Sequence, residues 1–108
     1  MKFTTAYSGG RLTVYLCGEL DHHGAREAVR GISDAIDGFL PRDLVLDMSE
    51  LTFMDSSGIA VIVKINRKLG SCGGRMLIEN PAPQPLKVLD AAGVDRLVPI
   101  FAKGEVTT

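Results

Sequence analysis

Cysteine is scarce in this chain. Cys17 and Cys72 are the only two in 108 residues, too few for the disulfide framework on which small secreted domains rely. They do not stand at metal-ligand spacing; Cys17 falls in a strand pattern and Cys72 in a glycine-rich turn, so both read as ordinary small residues. Positive charge is not in surplus either. The formal net charge is −1, and no basic stripe is available to neutralise a phosphate backbone, which argues against nucleic acid as a partner. No apolar run approaches the roughly 20 residues of a membrane span. The opening Met1-Lys2-Phe3-Thr4-Thr5 has no signal-peptide apolar region. No glycine-rich run ends in Gly-Lys-Ser/Thr, so a phosphate-binding loop is missing. The expectation is a soluble, cytoplasmic protein without metal or cofactor, making no use of nucleic acid or membrane.

What is present suits one packed domain. Hydrophobic residues make up 45% of the chain and charged residues 23%, and this length fits a single domain, residues 1–108. Residues 3–7 read as a strand, and Ser8-Gly9-Gly10 as a hairpin turn. Residues 11–17 alternate, with Leu12, Val14 and Leu16 on one face; Gly18-Glu19-Leu20-Asp21 reads as a return to loop. Ala25, Val29, Ile32, Ile36 and Phe39 recur at helical spacing, with Asp21 or His22 as cap and Gly38 and Pro41 as the stop. Residues 44–48 are almost continuously apolar, as in a strand covered on both faces, and residues 49–54 read as a connection. A second helix follows, with Ile59, Ile62, Val63, Asn66 and Leu69 on one stripe and Val61 and Ile65 widening it. Residues 75–79 form another strand. A third helix starts within Asn80-Pro81-Ala82-Pro83, where proline is tolerated in the first turn, and stops at Gly93. A last strand covers residues 97–100, and the tail from about residue 101 is expected to fray. The strand-helix-strand units imply right-handed parallel crossovers and the opening hairpin an antiparallel edge. The fold class is therefore α/β: a mixed, mostly parallel sheet of four to five strands with three or more helices packed against it.

The most informative stretch is Met54-Asp55-Ser56-Ser57-Gly58, at the junction between an apolar strand and a helix. The first N–H groups of a helix lack internal partners and the dipole there is positive. Asp55 is suited to cap that helix. A neighbouring hydroxyl is equally well placed to carry a phosphate, and the two roles are compatible. Catalysis fits less well. Ser56 is not in a Gly-x-Ser-x-Gly elbow, and only His22 and His23 could act as its base. Asp21-His22-His23 lacks a third or fourth metal ligand by spacing, and adjacent histidines at a helix start point apart. Asp21 nonetheless falls, like Ser56, in a segment that follows a strand, and such segments gather at the carboxyl edge of a parallel sheet.

Gly18-Glu19-Leu20-Asp21-His22-His23 together with Leu51-Thr52-Phe53-Met54-Asp55-Ser56-Ser57-Gly58 closely resembles the anti-sigma factor antagonists of sporulating bacteria, which are single STAS domains, and most nearly those of the sporulation sigma-F system. The resemblance extends to the Gly73-Gly74 turn and to Ala91-Ala92-Gly93-Val94. It implies a partner switch. The unphosphorylated antagonist binds an anti-sigma factor that is also a serine kinase, with ATP or ADP bound to the kinase, and so frees a sigma factor. The kinase phosphorylates the antagonist and a serine phosphatase reverses this. The implied acceptor is Ser56. The implied contact residues are Asp21, His22, His23, Asp55, Ser57, Gly58 and Ile59, and no catalysis is implied for the chain itself. Two places depart from that pattern: Gly24, where a helix former would be stronger, and the proline-rich Pro81-Ala82-Pro83-Gln84-Pro85. A STAS subunit of a transporter or stress-signalling assembly is the alternative reading, and a small hydrolase using Ser56 with His22 or His23 is a third. With no sustained heptad or large apolar stripe, the free protein is expected to be a monomer.

Overall fold

The structure, a computed structural model, describes residues 1–102; the expected fraying beyond about residue 101 falls almost wholly outside the described residues. Five strands form one sheet in the order β1-β2-β3-β4-β5. They are β1 (Lys2–Ser8), β2 (Arg11–Leu20), β3 (Asp43–Met54), β4 (Arg75–Glu79) and β5 (Ile100–Phe101). The first pair is antiparallel, joined by the Gly9-Gly10 turn, and the remaining neighbours are parallel. The connections are α1 (His22–Phe39), α2 (Ser56–Ser71) and α3 (Pro83–Ala91), the last followed by a 3-10 turn at Val94–Arg96.

β2 and β3 are longer than their alternation suggests. β2 stays paired through Leu20 and β3 through Met54, so the segments read as loop and connection are strand. The reason is a pair of bulges. Tyr15 pairs with Asp47 and Leu20 with Met54, so five residue steps in β2 match seven in β3. Each extra residue interrupts the two-residue period by which a strand is recognised. β3 accordingly buries Leu51 and Met54 but exposes Thr52 and Phe53.

The core lies between the sheet and the helices. Leu12, Val14 and Leu16 of β2, and Leu44, Leu46 and Met48 of β3, meet Ala28, Ile32 and Ile36 of α1 and Val61, Ile62, Ile65 and Leu69 of α2. On both helices the buried stripe is rotated from the expected one. α1 turns Gly24, Ala28, Ile32 and Ile36 inward, while Ala25 and Val29 are half-buried beside them. α2 buries Gly58, Val61, Ile62, Ile65 and Leu69; Ile59, Val63 and Asn66 lie on its flank. Small residues carry little hydropathy signal, yet they let a helix lie close to the sheet. The end of α1 also differs. Gly38 is inside the helix, and Leu40 adopts the left-handed conformation that closes it, its N–H bonding to Ile36 O at 2.8 Å. Exposed Phe39 stacks on Tyr7. The last strand is confined to Ile100–Phe101, because Leu97 and Val98 stay in the preceding turn, their N–H groups both donating to Val94 O at 2.8 and 2.9 Å.

These placements predict unequal costs along α2. Ile62→Ala, at a fully buried position, should destabilise by about 2–5 kcal/mol. Val63→Ala, one residue along on the flank, should cost clearly less. Urea unfolding midpoints of the two variants check this, and equal midpoints would contradict the observed helix rotation.

Candidate functional site

β2 and β3 run side by side to the carboxyl edge of the sheet and end alike. Leu20 is followed by Asp21 and Met54 by Asp55, and both aspartates cap the helix that follows. Asp21 Oδ1 accepts from Gly24 N at 3.0 Å, and Asp55 Oδ1 accepts from Ser57 N at 2.8 Å. Each bond satisfies one of the helix's unpaired first-turn donors. The two turns are also joined, since Asp55 N donates to Leu20 O at 3.4 Å. The register pair Leu20–Met54 thus sets two helix starts next to each other.

Within this frame Ser56 is the first residue of α2 and is exposed. The cap bond holds the carboxylate of Asp55 on the Ser57 amide and leaves Ser56 exposed. Among the described residues no hydrogen bond joins it to His22 or His23. Those two histidines are exposed on the first turn of α1, with ring centroids 6.0 Å apart. They line a groove between α1 and α2 together with Ser57, but Ser56 is not part of its lining. Ser57 is half-buried. Gly58 is buried: a Cβ there would come within 2.3 Å of Met54 Cγ, so the glycine is what allows α2 to start against the end of β3. Ile59 packs partly against the core. Of the eight expected site residues, those at 21, 22, 23, 55, 56 and 57 therefore lie around the two helix starts with at least partial exposure; Ile59, also partly exposed, flanks α2, and Gly58 alone is buried.

The two departures from the family pattern have structural explanations. Gly24 is buried where a Cβ would meet Met1 Cβ at 3.1 Å and Glu19 O at 3.2 Å, so the first turn of α1 lies close to β2 and a larger residue would require Met1 or the Glu19 carbonyl to give way. In the proline-rich segment, Gln84 clamps the turn from β3 into α2. Its Oε1 accepts from Met54 N at 2.8 Å and its Nε2 donates to Met54 O at 3.0 Å. A side-chain amide thus replaces the strand that β4, ending at Glu79, no longer supplies. Pro83 and Pro85 fix the turn of α3 that presents it. A second polar knot sits just before the bulges. Asp47, the buried charged residue of the sheet, accepts from Ser49 N, Ser49 Oγ and Asn80 Nδ2 at 3.0, 2.7 and 3.0 Å. Neither Gln84 nor Asp47 was identifiable from the sequence, because Gln84 acts on backbone 30 residues away and Asp47 on a partner 33 residues away and on Ser49 at a bulge.

The electrostatics of the Asp21 cap favour its negative charge. The bond from Gly24 N, the largest influence, holds the Asp21 carboxyl below its ordinary value of 3.8; desolvation opposes this, and the His23 backbone and charge add to it. No group of three or more His, Cys, Asp or Glu among the described residues is arranged to hold a metal ion. No described helix is long and apolar enough to cross a membrane.

Comparison with known proteins shows the family and agrees with the fold. The STAS domain family matches residues 3–105. The chain is 35% identical over 92 residues to the anti-sigma F factor antagonist of Paenibacillus polymyxa, covering 85% of this chain and 79% of that one. Among solved structures it is similar to the anti-sigma factor antagonist SpoIIAA in its unphosphorylated form, with a TM-score of 0.79 and 28% identity over 94% of this chain and 90% of that one. It is also similar to the Bacillus cell fate determinant SpoIIAA in the phosphorylated form, with a TM-score of 0.70, 28% identity and coverage of 94% and 93%.

Two predictions follow from the turn geometry. Gln84→Leu removes both partners of a buried backbone unit, and each unmet group costs about 1–3 kcal/mol. The variant should lower the urea midpoint and speed hydrogen exchange at the Met54 amide, whereas Gln84→Glu, keeping one acceptor, should fall between it and wild type. For Asp21 the folded pKa lies below the unfolded one, so its stabilisation is complete above the ordinary carboxylate range and is lost as pH falls through the folded value. Asp21→Asn, which caps without titrating, should flatten the acid limb of stability; urea midpoints between neutral and acid pH check this.

Proposed function

This chain belongs to the anti-sigma factor antagonists of the STAS domain family, and we propose that it works as a partner switch controlled by phosphate on Ser56. In its unphosphorylated form it docks on an anti-sigma factor that is also a serine kinase carrying ATP or ADP, and the sigma factor held by that partner is released. Transfer of the γ-phosphoryl group to the Ser56 oxygen, with loss of the hydroxyl proton and departure of ADP, ends the docking. A serine phosphatase restores it by hydrolysis. The chain performs no catalysis in this cycle, is a monomer when free, and acts in the cytoplasm.

The observation that carries this reading is the position of Ser56: exposed, first in α2, and beside the Asp55 cap. The docking face comprises Asp21, His22, His23, Asp55, Ser56 and Ser57, with Gly58 and Ile59 holding α2 in place below.

Magnitudes favour an interface effect over a change of fold. A phosphate adds about −1.5 to −2 charges. At a helix start the dipole favours that by roughly 0.3–1 kcal/mol, and the adjacent Asp55 carboxylate opposes it, so the domain should scarcely respond. In a docked face the same charge loses its water. An unpaired charge buried there costs several kcal/mol, and a hundredfold loss of affinity needs only about 2.7 kcal/mol. The interface effect is the larger.

Incubation with the ATP-binding anti-sigma kinase of the same genome, followed by mass-spectrometric site mapping, tests the proposal. The expected result is one phosphate, on Ser56, with none on Ser56→Ala, which should still bind the kinase. Ser56→Asp should bind at least several-fold more weakly than wild type. Phosphate mapped to another residue, or undiminished binding by Ser56→Asp, would overturn it.

A further inference from the structure

We infer that the groove between α1 and α2, beside Ser57, seats an acidic segment of a protein partner. This rests on the reading that the face around Ser56 is a docking face, and it specifies what that face grips. The seam between the two helices has two different ends. Toward their carboxyl ends it is closed by complementary groups: Lys68 Nζ reaches Asp37 Oδ1 at 2.9 Å and Ser33 Oγ at 2.6 Å. One helical turn earlier on α2 stands Lys64, and earlier on α1 stand Arg30 and Arg26, all three lining a groove of about 730 Å³. None of these three forms an ion pair with a carboxylate among the described residues. Three cations thus share one recess in a chain whose net charge is −1.

The recess is suited to a peptide. Its wall includes half-buried Val29 and buried Val61, which offer apolar contact along the stems of the basic side chains. The first turns of both helices lie at its mouth, each already capped by an aspartate carboxylate, so the positive charge of the recess comes from Arg26, Arg30 and Lys64. Glutamate or aspartate side chains from a partner would supply the counter-charge that Asp37 supplies to Lys68. Clustered like charges with no internal partner favour an opposite patch and set orientation more than raw affinity. Ser57 lines this groove, and Ser56 precedes it directly. A phosphate on Ser56 would therefore place negative charge at the mouth of a groove whose occupant is itself negative, and would expel it.

The test uses the ¹⁵N-labelled full chain and a short capped peptide alternating glutamate and leucine, with its glutamine counterpart as control. The expected result is saturable amide shifts around residues 26–30, 57 and 64 with the glutamate peptide, weakened by salt, and none with the glutamine peptide. Arg26→Glu/Lys64→Glu should lower that affinity by about tenfold or more while keeping the wild-type urea midpoint. Should that variant not fold, Arg30→Gln should show a smaller loss. Absence of saturable shifts overturns the inference, as does equal binding of the glutamine peptide. So does the same set of shifts produced at lower concentration by ATP or by phosphatidylglycerol vesicles, which would make the occupant a nucleotide or a membrane. Kinase assays separate this from the Ser56 reading. A kinase that modifies wild type and Arg26→Glu/Lys64→Glu with the same KM overturns the groove alone. A wild-type chain that no kinase modifies, but that binds the acidic peptide, supports the groove and overturns the Ser56 reading.

Discussion

The carboxyl edge of this protein depends on one hydrogen bond, 2.8 Å long, from the Ser57 amide to Asp55 Oδ1. It turns β3 into α2 within a single residue by satisfying a donor that the helix cannot satisfy itself. It also occupies the nearest carboxylate, so that Asp55 faces the backbone and Ser56 faces solvent. The turn is braced on three sides. Gln84 holds Met54 through both its N–H and its C=O, the bare Gly58 lets the helix rest on the Met54 side chain, and Leu20 accepts from Asp55 N. A hydroxyl held on such a rigid frame can gain or lose charge without asking the backbone to move.

The neighbouring turn repeats the design. β2 ends in Leu20-Asp21 as β3 ends in Met54-Asp55, and each aspartate opens a helix. The two bulges bring the ends level: without the two additional residues in β3, Leu20 would not lie opposite Met54. Asp47 steadies the strand just where the bulges begin, through three accepted hydrogen bonds. The irregularity of the strands thus serves the placement of the two helix starts.

Much of this was readable from residues alone, for identifiable reasons. The Leu12, Val14, Leu16 alternation and the apolar run at residues 44–48 reflect burial directly, and both are strands. Asp55 and Asp21 were readable as caps because capping is local chemistry. The bulged halves of β2 and β3 were not, since an extra residue erases the period that marks a strand. The inward faces of α1 and α2 were displaced because Gly24, Ala28 and Gly58 contribute closeness and not hydropathy. Leu40 closing α1 in place of Gly38 is a tertiary outcome, as is the grip of Gln84 on a residue 30 positions away. The basic groove required two helices to be set side by side before Arg26, Arg30 and Lys64 became neighbours.

The central claim is that phosphate on Ser56 acts by local charge on a docking face and leaves the fold unchanged. The most direct measurement is a comparison of ¹H–¹⁵N amide spectra of the unphosphorylated and Ser56-phosphorylated protein. Shifts confined to the starts of α1 and α2 and the end of β3, with the amides of β4 and the inner half of α1 unmoved, are what local charge predicts. Shifts spread through the sheet core would contradict it and would make the switch a conformational one.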